Sequence, residues 1–83
     1  MKYEVSIKGT GTNKHDRFEA ENPGSARIMA LRSWFGPDVF WDADETIKDG
    51  RVTRAREVRR HGKVRFVEEP ITRTVRITVR KIS

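Results

Sequence analysis

From Lys2 to Lys8 the chain alternates. Tyr3, Val5 and Ile7 fall on one side, and Lys2, Glu4, Ser6 and Lys8 on the other, which is the period of a half-buried strand. Gly9-Thr-Gly-Thr-Asn13 is a turn cluster, and His15–Ala20 reads as a returning strand with Phe18 inward. Asn22-Pro23 then announces a helix, because Asn is a preferred N-cap and Pro at the first helical position lacks only an N–H that would have no partner there. Ile28, Leu31 and Phe35, with Trp34 beside them, form an apolar stripe at helical spacing, and Gly36-Pro37 stops the helix.

Val39-Phe-Trp41 begins the next strand, with Phe40 and Trp41 on opposite faces, so one of the two rings is candidate surface. The segment Thr46–Thr53 centres on Asp49-Gly50, a dipeptide that predicts a two-residue hairpin with glycine at positive φ. Gly9, in a longer turn, is expected to tolerate Ala. A second tight turn is predicted at His61-Gly62, joining Arg51–Arg60 to Lys63–Glu68, and a last turn at Glu69-Pro70. Ile71 to Ile82 alternates again, with Val75, Ile77 and Val79 opposite Thr74, Arg76, Thr78 and Arg80.

These elements predict an α+β fold in which an antiparallel sheet of five to six strands carries a single helix packed on one face. The chain order is strand, strand, helix and then a strand meander, in one domain spanning residues 1–83. One helix covers one face, so the other is expected to be open to water, as the Arg/Thr alternation of the last strand suggests. Val64, Phe66, Val67 and Ile47 join the helix stripe as expected core residues.

Charge carries the strongest functional signal. The net charge is +6, and it is unevenly spread. Residues 1–50 hold 7 Lys/Arg against 9 Asp/Glu, a net of −2, whereas residues 51–83 hold 11 against 3, a net of +8. Such asymmetry is the footprint of a polyanion binder, weighed against a merely solvated Arg-rich surface. The candidate partner-binding residues are therefore Arg54, Arg56, Arg59, Arg60, Lys63, Arg65, Arg73, Arg76 and Arg80, on consecutive strands expected to converge on one patch, together with Trp41 as a candidate aromatic anchor. Arginine forks suit nucleic-acid phosphates and acidic protein surfaces alike. Aromatic interleaving is poor because Phe66, alone in the basic half, is expected in the core, so binding is expected to be backbone-directed and tolerant of sequence.

Catalytic chemistry finds little purchase. With no cysteine there is no disulfide scaffold, thiolate metal site or thiol nucleophile, which favours a reducing, cytoplasmic setting. His15 and His61 both fall in predicted turns without a spacing-matched Ser, Asp or Glu, and Gly9-Thr-Gly-Thr lacks the Lys and following helix of a phosphate loop. Asp38, Asp42, Asp44, Glu45 and Asp49 lack the alternating ligands of a calcium loop and read as a solvated acidic run. No enzyme activity, metal or cofactor is expected. Met-Lys-Tyr-Glu-Val lacks the apolar core of a signal peptide, and no apolar run is long enough to span a membrane.

A strand pair ending Arg17-Phe-Glu-Ala-Glu-Asn22, a helix Pro23–Phe35 closed by Gly36, and a meander together resemble small phage-encoded anti-CRISPR proteins acting on type I systems. The likeness is one of architecture over nearly the whole chain. It implies an inhibitor that binds the host's crRNA-guided surveillance complex through a basic sheet face and blocks DNA recognition. The first 36 residues also resemble the strand–helix opening of some archaeal ribosomal proteins. The alternative reading is a stand-alone, sequence-tolerant binder of DNA or RNA.

Overall fold

The computed structural model describes residues 1–44 and 49–82. Its elements, in chain order, are β1 (Lys2–Gly9), β2 (Thr12–Glu19), α1 (Pro23–Phe35), β3 (Val39–Asp44), β4 (Asp49–Arg60), β5 (Lys63–Pro70) and β6 (Val75–Lys81). Among the described residues, one helix lies on one face of a six-stranded antiparallel sheet, the α+β fold expected of the pattern. The strand order is β2-β1-β6-β4-β3, with β5 paired to the far half of β4. No described helix is long and apolar enough to cross a membrane.

The helix begins and ends where its punctuation dictates. Asn22 accepts a hydrogen bond from the Ser25 amide at 2.8 Å, Pro23 occupies the first turn, and Gly36, at φ 108°, donates its N–H to the Arg32 carbonyl at 3.0 Å. Its buried residues are Ala26, Ala30 and Leu31. Ile28, expected in that stripe, is exposed instead, because the sheet meets the helix on the small-residue side. Leu31 packs with Ile7, Val39, Val52 and Val75, while Ala26 and Ala30 pack with Tyr3 and Val5. Trp34 touches both clusters and meets Phe18 edge-on, with ring centroids 6.1 Å apart.

Two turn expectations are corrected. Asp49 and Gly50 lie within β4, where Gly50 pairs with Ala43 on one side and Val75 on the other, so this dipeptide is not a hairpin turn. Glycine is required there for a different reason. A Cβ on Gly50 would collide with the Asp42 carbonyl oxygen and stand 2.8 Å from the Trp41 ring. The residues joining β3 to β4, including Ile47 and Glu45, lie outside the described residues. The first turn is tight, with Gly9 paired to Thr12 and Gly11 at φ 76°. Gly9 is also crowded, since a Cβ there would sit 2.5 Å from Val75 Cγ1, so Ala is not readily accommodated.

The last turn is displaced as well. Pro70 closes β5, and residues 71–74 bend the chain while Ile71 donates to the Val52 carbonyl at 2.8 Å and the Val52 amide donates to Thr72 Oγ1 at 3.0 Å. The chain then returns as β6 between β1 and β4. This bend separates β5 from β6.

Candidate nucleic-acid interface

β4 is twelve residues long, and only its first half belongs to the body of the sheet. Pairing with β3 ends at Val39 opposite Arg54, whereas pairing with β5 runs from Thr53–Pro70 out to Arg60–Lys63. Beyond Arg54 the two strands have only each other, and they project as a ribbon that stretches the molecule to 52 Å along one axis against 24 and 22 Å across. Every residue of β5 is exposed. The ribbon closes at His61 (φ 52°) and Gly62 (φ 75°), the pair of positive φ values that matches a two-residue turn to the twist of antiparallel strands.

Directly opposed residues share a face, so the register sorts the ribbon's side chains. One face carries Arg54 opposite Glu69, Arg56 opposite Val67, Val58 opposite Arg65, and Arg60 opposite Lys63. The other carries Ala55 opposite Glu68, Glu57 opposite Phe66, and Arg59 opposite Val64. The first face is cationic and the second mainly apolar with two carboxylates. Ion pairs neutralise part of this charge, Arg56 with Glu69 at 3.6 Å and Arg59 with Glu57 at 3.3 Å. Among the described residues, Arg54, Arg60, Lys63 and Arg65 have no acidic partner, and three of these four surround the turn.

The single basic patch expected of the C-terminal half is therefore split. Arg54, Arg56, Arg59, Arg60, Lys63 and Arg65 lie on the ribbon. Arg73 sits in the 71–74 bend, where it lines a shallow depression with Arg51, Ile71 and Thr72. Arg76 and Arg80 lie on the uncovered face of the body, as their alternation with Thr78 predicts, but each is already paired: Arg76 with Asp49 at 2.8 Å and Arg80 with Glu4 at 3.3 Å. Strand proximity in sequence misled here because β6 inserts in mid-sheet and is no neighbour of β5. Trp41 packs half-buried against the core on the helix side, and the exposed ring of that strand is Phe40. Phe66, expected in the core, is 74% exposed, since no other element lies over the ribbon.

His15 is not in a turn but in the middle of β2, 3.2 Å from Glu4. Glu4 stands opposite both Arg17 and Arg80 in the register, and these two guanidinium groups and the His15 imidazole converge on its carboxylate. Partial burial alone would push the Glu4 carboxyl up, but the His15 hydrogen bond and the charges of Arg80, His15 and Arg17 outweigh it and hold the group below its ordinary value. A carboxyl depressed in the folded state contributes stability above its unfolded-state pKa and loses it as pH falls through the folded value. Melting curves at neutral pH and at about pH 3 should therefore show a larger acid loss of Tm in the native chain than in Glu4→Gln. Parallel losses would remove Glu4 as the acid-sensitive group. On the open face the β6 arginines are thus paired with carboxylates, whereas the cations of the ribbon tip have no such partner among the described residues.

No family model, curated protein or solved structure matches this chain.

Proposed function

We propose that this chain is a non-enzymatic binding module that grips a nucleic-acid backbone with the cationic face of its β4–β5 ribbon. The observation that carries this reading is the direct opposition of Arg60 and Lys63 across the turn, with Arg65 on the same face and no acid among the described residues to offset them. Like charges directly opposed across strands are destabilising, and a two-stranded ribbon is marginal in water. Charge concentrated on the weakest element of a fold marks a place where a local rule is broken for function. A polyanion relieves the repulsion, and a ribbon two strands wide has the dimensions that fit a nucleic-acid groove or track a single strand.

The resemblance to anti-CRISPR proteins implies a different partner, a nucleoprotein surveillance complex in the host cytoplasm bound through a basic sheet face. A fluorescence titration separates the two. With a labelled oligonucleotide, log Kobs should fall linearly with log salt concentration, losing roughly 0.7–0.9 per phosphate neutralised, so that four tip and base cations give a slope near −3. Weak, salt-insensitive oligonucleotide binding would overturn the proposal. Tight binding of a CRISPR surveillance complex in that case would favour the inhibitor reading.

A further inference from the structure

The second face of the ribbon holds the most exposed large hydrophobic side chain among the described residues, Phe66, with half-exposed Val64 next to it toward the tip. An aromatic ring left in water forfeits the burial that normally accounts for its place in a small domain. The register shows what surrounds it. Glu57 lies directly opposite Phe66 but is paired with Arg59, which itself stands opposite Val64, and Glu68 lies on the side toward the body. The ring thus has a neutralised ion pair across from it and the exposed Glu68 carboxylate on its body side, while the uncompensated cations of the tip lie on the reverse face.

That arrangement selects its occupant. β5 is an edge strand, in which Lys63 and Arg65 point to one face while Val64 and Phe66 point to the other. A flexible chain lying along this edge can set anionic groups against Lys63 and Arg65 and a flat, uncharged ring on Phe66. A single nucleic-acid strand has both kinds of group, since every base offers a π-face and every linkage a phosphate. Duplex holds its bases stacked inside and its phosphates outside, so it cannot meet both faces without unstacking. A second copy of this chain would bring two sets of unpaired tip cations together, and the ring with one valine is far smaller than a stable protein interface.

We infer that Phe66 is a base-stacking platform and that the ribbon's ligand is single-stranded nucleic acid lying along the outer edge of β5. This rests on the backbone-binding reading above and adds the strandedness of the partner. The test compares the native chain, Phe66→Ala and Phe66→Trp on an oligothymidylate of about ten nucleotides and on a hairpin duplex of equal charge. The native chain should prefer the single strand. Phe66→Ala should lose about tenfold on the single strand, with an unchanged salt slope and no change on duplex, whereas Phe66→Trp should retain full affinity. An undiminished affinity of Phe66→Ala for the single strand, or an equal loss on duplex, would overturn the inference while leaving salt-dependent backbone binding in place. Failure of the native chain to bind either oligonucleotide would instead remove the underlying reading, and this inference with it.

Discussion

Leu31→Ala should lower the stability of the domain by about 2–5 kcal/mol, a loss of the order of 10 °C or more in Tm for a chain of this size. Leu31 is 1% exposed and is the helix residue that meets Ile7, Val39, Val52 and Val75, so its truncation opens a cavity where α1, β1, β3, β4 and β6 converge. Small domains have little stability in reserve, and one such cavity consumes a large part of it. Ile28→Ala supplies the contrast. Ile28 lies three residues earlier in the same helix but is 44% exposed, and its truncation should cost far less. Thermal or denaturant unfolding of the two variants side by side tests the placement of the helix, and equal losses would contradict it.

The difference between those two residues shows how the sequence carries the fold and where it stops. Helix limits were legible because they are written in local chemistry: a side-chain cap at Asn22, a ring-locked φ at Pro23 and a positive φ at Gly36. The orientation of the helix about its axis was not. Ile28 and Leu31 both satisfy helical periodicity, and only the approach of Ala26 and Ala30 to the sheet decides between them. His61-Gly62 was legible as a turn for the same local reason, whereas Asp49-Gly50 carries an identical signal without a turn. There the glycine serves the close passage of Trp41 and the Asp42 carbonyl, a tertiary demand that no dipeptide records.

The candidate site was half legible. Its cations stand out in the composition of residues 51–83, and the alternation of Arg76 and Arg80 with Thr78 located the uncovered face correctly. Alternation alone could not say that β5 leaves the body. Val64 and Phe66 have the period of a half-buried strand, but the register puts them opposite Arg59 and Glu57, on the side of β4 away from Val52 and the helix, where no other described element packs along the ribbon. Nor could it say that Glu4 and Asp49 silence the arginines of the open face, since those partners are 76 and 27 residues distant in sequence. Both facts follow from β6 entering the middle of the sheet.

The ribbon tip carries the account, and reversing its charge should have the largest effect on binding of any surface change. Arg60 and Lys63 are exposed at the end of an element that supports nothing else, so Arg60→Glu/Lys63→Glu should leave the folded body intact. It removes two phosphate contacts and puts two carboxylates in their place, which weakens binding to a polyanion by on the order of 100-fold. The matched comparison is Lys2→Glu/Lys8→Glu on the open face, which changes the net charge equally and breaks no ion pair in which a lysine is held. Arg76 and Arg80 are unsuited to that comparison because their reversal would strand Asp49 and Glu4. The deciding measurement is oligonucleotide affinity at fixed salt for the native chain and both double variants, each first shown to be folded by circular dichroism. A loss of about 100-fold at the ribbon tip, against at most a few-fold on the open face, is the predicted result. Equal losses would reduce the interface to bulk charge, and a loss confined to Lys2→Glu/Lys8→Glu would move it to the open face of the sheet and contradict the ribbon.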